Sequence, residues 1–172
     1  MIITVGGSIG SGKSTLARML ADKLGYKYIS IGSIMRGFAQ ERGITLIEMS
    51  KLAEKDPTID RELDRRQKEL AKGNSVVDSR LGAHMLTADF SIWVKASPEV
   101  CVKRVAGRDD ITIKEAKKAI AERRASEEKR YQEIYGIDLE DKSVYDLVLD
   151  TDGLTPAGML EESLKSLKLN GF

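Results

Sequence analysis

The chain has one cysteine, Cys101, and one histidine, His84, among 172 residues. A single thiol forms no intrachain disulfide, and one Cys with one His excludes the usual Cys/His zinc sites. No apolar run approaches the ~18 residues of a membrane-spanning helix. The N-terminus enters Met1-Ile2-Ile3-Thr4-Val5 without a basic leader, so a reducing cytoplasm is the expected location. Lys and Arg number 28 against 27 Asp and Glu, so no net field draws the chain to nucleic acid or membrane. Asn is scarce (Asn74 and Asn170) while charged residues make up 32%, a balance that leans toward proteins of hot environments. The length suits one compact domain.

The elements that remain alternate. Short apolar runs at 2–6, 26–30, 75–78, 91–96 and 145–150 are expected strands, and Ser14–Leu24 is an expected helix with Leu16, Leu20 and Leu24 four apart. Each of the three prolines follows a capping residue (Asp56-Pro57, Ser97-Pro98, Thr155-Pro156) and so marks a helix start. Thr45…Glu48 and Thr112…Glu115 have capping-box spacing. Gly73 is placed to end the helix begun at Pro57. Alternation of this kind implies an α/β fold, a parallel sheet covered on both faces, with ligands beyond the carboxyl ends of the strands.

One motif lies at that edge. Gly7-Ser8-Ile9-Gly10-Ser11-Gly12-Lys13-Ser14 satisfies G-x-x-x-x-G-K-[ST] between the first strand and first helix. Glycines let backbone N–H groups close around phosphate oxygens, and the helix N-terminus completes the cradle. Lys13 supplies charge to the β- and γ-phosphates, the Ser14 hydroxyl is the candidate Mg²⁺ ligand, and Thr15 follows on the first helical turn. A chance match is disfavoured by its position, seven residues into the chain behind an apolar strand.

The cradle alone does not say where the phosphoryl group goes. A GTPase switch needs an Asn-Lys-x-Asp base reader, which is absent, and Asp150-Thr151-Asp152-Gly153 lies after the last strand rather than beside the cradle. The arginines favour a kinase. Two phosphorylated substrates in one cleft require several positive side chains, and Arg forks grip phosphate and stay charged. Arg36 and Arg80 follow strand ends. Between Lys103 and Arg130, ten Lys and Arg face six Asp and Glu. Arg124 reads as an ordinary solvated side chain. Cys101 and Trp93 are expected in the core, His84 is expected to be structural or exposed, and Tyr131 and Tyr135 are spaced to pack together.

These residues resemble the nucleoside monophosphate kinases, most closely the archaeal-type cytidylate kinases, over nearly the whole chain. Ile31-Gly32-Ser33-Ile34-Met35-Arg36 resembles the entry to the monophosphate site, and Arg104-Val105-Ala106-Gly107-Arg108 resembles the hinge into the lid. The Pro57–Asp60, Leu63–Gln67, Lys129–Tyr131 and Tyr135–Asp138 stretches resemble the archaeal branch in particular. Many members of that branch carry Thr where this chain has Lys13, so the cradle here is the ordinary form. Adenylate kinases place Gly-Phe-Pro-Arg where this chain has Asp78-Ser79-Arg80-Leu81-Gly82, which argues against AMP.

The resemblance implies a five-stranded P-loop kinase with sheet order 2-3-1-4-5, a monophosphate-binding helical insert near 34–73 and a lid near 109–135. It implies ATP and CMP (also dCMP) as substrates, with Mg²⁺, in a monomer. By it, Arg36 would grip the acceptor phosphate beside Ser33, Arg104 would stack on the ATP base, Arg108 would contact phosphates, and Arg123 and Arg130 would close over the transferring group. On chemical grounds Asp78 and Arg80 suit a cytosine edge, Asp78 accepting from N4 and Arg80 donating to N3 or O2. A comparable role for Asp78 is anchoring the water shell of Mg²⁺. The rivals are the same transfer to AMP, UMP or a shikimate-like acceptor, and an ATP-binding accessory factor of RNA maturation.

Overall fold

A computed structural model describes all residues from Met1 to Phe172. The chain runs β1 (Ile2–Gly7), α1 (Lys13–Leu24), β2 (Lys27–Ser30), α2 (Ile31–Glu41), α3 (Leu46–Lys55), α4 (Pro57–Leu70), β3 (Ser75–Asp78), α5 (Gly82–Met85), β4 (Phe90–Lys95), α6 (Pro98–Asp109), α7 (Ile113–Tyr135), β5 (Leu147–Asp150) and α8 (Pro156–Leu169). The five strands form one parallel sheet in the order β2-β3-β1-β4-β5, the order expected.

Parallel strands covered on both faces read as continuous apolar runs. Ile3 and Val5 of β1, Val76 and Val77 of β3, and Ile92 and Val94 of β4 are wholly buried. Leu16, Ala17, Leu20 and Ala21 of α1 pack on this sheet with Met159 and Leu167 of α8. Helices α2, α3 and α4 gather a second cluster of their own around Met35, Phe38, Met49, Ile59 and Leu63.

Local chemistry sets most helix starts. Thr45 and Thr112 form full capping boxes with Glu48 and Glu115, and Asp56 and Thr155 accept from the backbone N–H groups of Thr58 and Gly158. Two expectations need correction. Ser97 makes no side-chain cap; its backbone N–H donates to Asp152 Oδ1 at 3.0 Å, tying the start of α6 to the loop after β5. Gly73 does not end α4, which stops at Leu70 with Ala71 as its cap. Gly73 instead supplies the φ of +68° in the turn before β3. The register brings Ser30, Asp78, Gly7 and Lys95 to one edge of the sheet: Ser30 pairs with Asp78, Val5 with Asp78, Gly7 with Val94, and Lys95 with Asp150.

Candidate active site

The loop from Gly7 to Gly12 rises from that edge. Gly10 has φ +83°, and a Cβ there would stand 2.6 Å from the Cys101 carbonyl oxygen, so backbone forbids a side chain. Gly12, at the N-cap of α1, has φ +97° and offers no side-chain cap. The first N–H groups of α1 are therefore left for an anion. The loop is braced from within and below. Ser11 Oγ donates to Ser8 O at 2.8 Å. Thr151 Oγ1 donates to Ser11 O at 2.9 Å, and Arg104 Nη1 reaches the same carbonyl at 3.0 Å. Ile9, at the loop's tip, is buried against Val105, Ala106 and Ala116.

Beyond the loop lies a cavity of about 120 Å³. Of the residues singled out in the sequence, Lys13, Ser14, Arg36, Asp78, Arg80, Arg108, Arg123 and Arg130 all line it. Burial draws the Lys13 ammonium down to about 8, with Asp78 opposing and Arg80 and Arg123 adding to the shift. Asp78 Oδ2 accepts from the Tyr28 hydroxyl at 3.1 Å. Arg36, exposed, donates Nη2 to Ser33 Oγ at 2.9 Å, and Ser33 Oγ in turn donates to Ser30 Oγ.

Arg80 sits differently from the expectation of a base reader. Its Nη1 donates to Gly7 O at 2.6 Å and its Nε to Glu127 Oε2 at 2.7 Å. Two of its donor directions are thus committed to the cradle and to α7. Arg104 lies under the cradle, with Nη1 on Thr151 Oγ1 at 2.9 Å and Nη2 on Thr151 O, and does not line the cavity. Arg108 reaches the cavity wall but is exposed, with Nε and Nη2 on Asp109 at 2.7 Å. Thr15 is exposed on α1.

Sequence reasoning missed the acids that hold these arginines. Glu127, 4% exposed, joins Arg80 to Arg123, whose Nε donates to Glu127 Oε1 at 2.8 Å. Burial alone would raise this carboxyl; the guanidiniums of Arg80 and Arg123 outweigh it and bring it down to about 2. Arg130 gives Nη1 to both carboxylate oxygens of Asp60 at 2.6 Å, a pair buried on both sides, while its Nε has no partner. One helical turn further along α4, Asp64 accepts from the Tyr135 hydroxyl. Asp60, Asp64, Glu127 and Tyr131 all line the cavity. Tyr135 therefore meets α4 rather than Tyr131, which lies beneath the Arg130 guanidinium at 5.3 Å. The one available signal was spacing: Glu127 follows Arg123 by four residues on one helix.

Trp93 is 5% exposed, as expected of core, yet its ring is not packed by apolar groups alone. The Lys142 ammonium lies 4.0 Å from the ring centroid and the Arg80 guanidinium 5.9 Å. His84 stands edge-on to Tyr145, and Cys101 is buried.

A central β1 flanked by β3 and β4, with a phosphate cradle at its end, defines a P-loop kinase fold. Solved structures agree: shikimate kinase from Aquifex aeolicus superposes with a TM-score of 0.62 at 21% identity, covering 100% of this chain and 99% of that one. The sequence narrows the class. The cytidylate kinase-like family matches residues 2–153, and the chain belongs to that family. A cytidylate kinase of Pyrococcus furiosus is 48% identical over 161 residues, covering 92% of this chain and 84% of the relative. One of Methanocaldococcus jannaschii is 49% identical over 157 residues, 88% of each.

Proposed function

We propose that this protein transfers the γ-phosphoryl group of ATP to CMP, giving ADP and CDP, and accepts dCMP in the same site. The observation that carries the reading is the convergence of Lys13, Arg36, Arg80, Arg123 and Arg130 on one cavity against the cradle, in a chain whose curated relatives bear the name cytidylate kinase. Two anionic nucleotides repel each other, and phosphoryl transfer requires them end to end. With Arg108 at the wall, six cationic side chains in one cavity offset that repulsion.

In this reading the cradle and the free N–H groups of α1 hold the ATP phosphates. Arg36, exposed at the far side and steadied by Ser33, takes the acceptor phosphate. Its oxygen is already ionised, so no general base is needed. Lys13, Arg123 and Arg130 neutralise charge as the phosphoryl passes. Glu127 keeps Arg80 and Arg123 poised until phosphate oxygens compete for them. Arg80, held at the Gly7 carbonyl, serves the phosphates rather than the base. Mg²⁺ arrives with ATP. Ser14 and Asp78 line the same cavity as Lys13, a hydroxyl and a carboxylate of the hard oxygen type the ion takes; they would hold it, and it would supply positive charge to the phosphates.

The cavity is smaller than the ~300 Å³ and upward of sites that enclose a whole ligand. The insert α2–α4 and the lid containing α7 must therefore part to admit CMP. Larger clefts flank α7, about 910 Å³ on the α3 side and about 720 Å³ on the β4 side, which give it room to move. The test is a panel of acceptors with ATP: CMP, dCMP, UMP, AMP and shikimate. CMP is expected to be turned over fastest, with hydrolysis of ATP alone far slower than transfer. ATP binding without phosphorylation of any monophosphate would replace this reading with that of an accessory factor.

A further inference from the structure

Resting on the reading of CMP as acceptor, the geometry points to Asp64 as the residue that selects an amino-pyrimidine over an oxo-pyrimidine, by accepting a hydrogen bond from the exocyclic amine. Elimination leads there. The polar side chains on the acceptor side of the cavity, away from the cradle, include Ser30, Asp60 and Asp64. Ser30 Oγ already accepts from Ser33 N and Ser33 Oγ as the cap of α2. Both oxygens of Asp60 are taken by Arg130. Asp78 lies at the sheet edge beside Lys13 with the Tyr28 hydroxyl on it, and Arg80 is held at the cradle.

Of the two carboxylates on that side, only Asp64 has spare capacity. Its Oδ2 accepts from Tyr135 and its Oδ1 has no partner in the chain. Met35, Leu46 and Leu63 line the same cavity and supply apolar faces for a flat ring. A carboxylate only accepts. Cytosine presents the N4 amine as a donor, whereas uracil presents the O4 carbonyl, whose lone pairs would oppose the carboxylate. The contact is also linked to the lid: Tyr135 belongs to α7, so the base edge and the lid share one carboxylate.

The protonation state of Asp64 sharpens the idea. Burial, and then the charge of Asp60, push its carboxyl up to about 7, with Lys68 opposing. The other charged or titratable groups around it are Arg130 and Tyr135 on α7 and Arg36 on α2. Protonated Asp64 donates instead of accepting, so selection should weaken as pH falls. Titration of the substrate phosphate is common to CMP and UMP and cancels in their ratio.

The experiment measures kcat/KM for CMP and UMP with the full-length wild type and with Asp64→Asn, whose amide can donate to O4. The CMP/UMP ratio is expected to fall by roughly tenfold or more, with UMP gaining in absolute terms. Equal losses for both substrates would overturn the assignment and leave Asp64 a structural tie to Tyr135. Tyr135→Phe, which removes only the hydroxyl, is expected to leave the ratio within about threefold; a collapse there equal to that of Asp64→Asn would also overturn it. Should Asp64→Asn fail to fold, the wild-type ratio measured from pH 5.5 to 8.5 decides: a rise through about pH 7 supports the inference, and a flat ratio ends it. A wild type that ignores CMP altogether sinks the parent reading instead.

Discussion

In the cradle, eight consecutive residues prepare to meet phosphate with backbone N–H groups and one lysine. Across the seam between α4 and α7, side chains 70 and 71 positions apart meet instead, Asp60 with Arg130 and Asp64 with Tyr135. The cradle is a fixed shape awaiting an anion. The seam already holds its own anions: Asp60 occupies the Arg130 guanidinium and Asp64 the Tyr135 hydroxyl. The difference teaches how a small kinase keeps strong positive charge in one place without a ligand: the backbone needs no counter-charge, whereas each buried guanidinium does.

The contrast is tested most severely at Lys13. Replacement by Met should lower kcat by on the order of a thousandfold, since charge on the moving phosphoryl loses its nearest ammonium. The same variant, without nucleotide, should unfold at a higher temperature. A lysine drawn down to about 8 from 10.5 binds fewer protons folded than unfolded between those values, so its unfavourable contribution is fully present below pH 8 and fades as pH rises toward 10.5. Removing it should stabilise the apo protein by about 2 kcal/mol at pH 7, trimmed by the partial solvent contact of the side chain. An inactive variant that is less stable would show that the cradle does need a partner of its own.

The seam should answer in the other sense. Asp60→Ala strands the Arg130 guanidinium in a buried site and should cost about 3–5 kcal/mol in a denaturant melt, while ATP affinity measured by calorimetry stays within about twofold. The double variant Asp60→Ala, Arg130→Met should recover most of the loss. Loss of ATP binding in Asp60→Ala would erase the distinction between the two regions.

Glu127 belongs to both, and its contribution should be smaller, with its pH dependence falling in the acid range. Its carboxyl is held at about 2 against an ordinary 4.5, so its contribution is present above pH 4.5 and lost as pH falls through 2. Wild type should lose up to about 3 kcal/mol over that window beyond what Glu127→Gln loses. Parallel acid-unfolding curves would mean that Arg80 and Arg123 do not depend on it.

The same division explains what could be read from the chain. The strands, both capping boxes and the cradle depend on neighbours within a few residues, so spacing revealed them. The acids of α4 and α7 depend on the tertiary fold. Glu127 four after Arg123 looks no different in sequence from Glu128 four after Arg124 or Glu122 four after Lys118. Only the fold distinguishes them: the Glu127 side chain is 5% exposed, and those of Glu128 and Glu122 are 40% and 54% exposed. Arg80 reads as a ligand-side residue because it follows a strand end, and strand ends do not say which way a long side chain turns; here its Nη1 meets the Gly7 carbonyl. Ser97 has the right identity for a cap, yet Asp152, 55 residues away, takes its N–H.

Trp93 is the chain's single indole, and the guanidinium over it also grips the Gly7 carbonyl. Whatever shifts Arg80 alters the field on that ring. The protein therefore carries its own optical reporter beside the phosphate loop: intrinsic emission, undiluted by any second tryptophan, can follow nucleotide arrival in real time without a label.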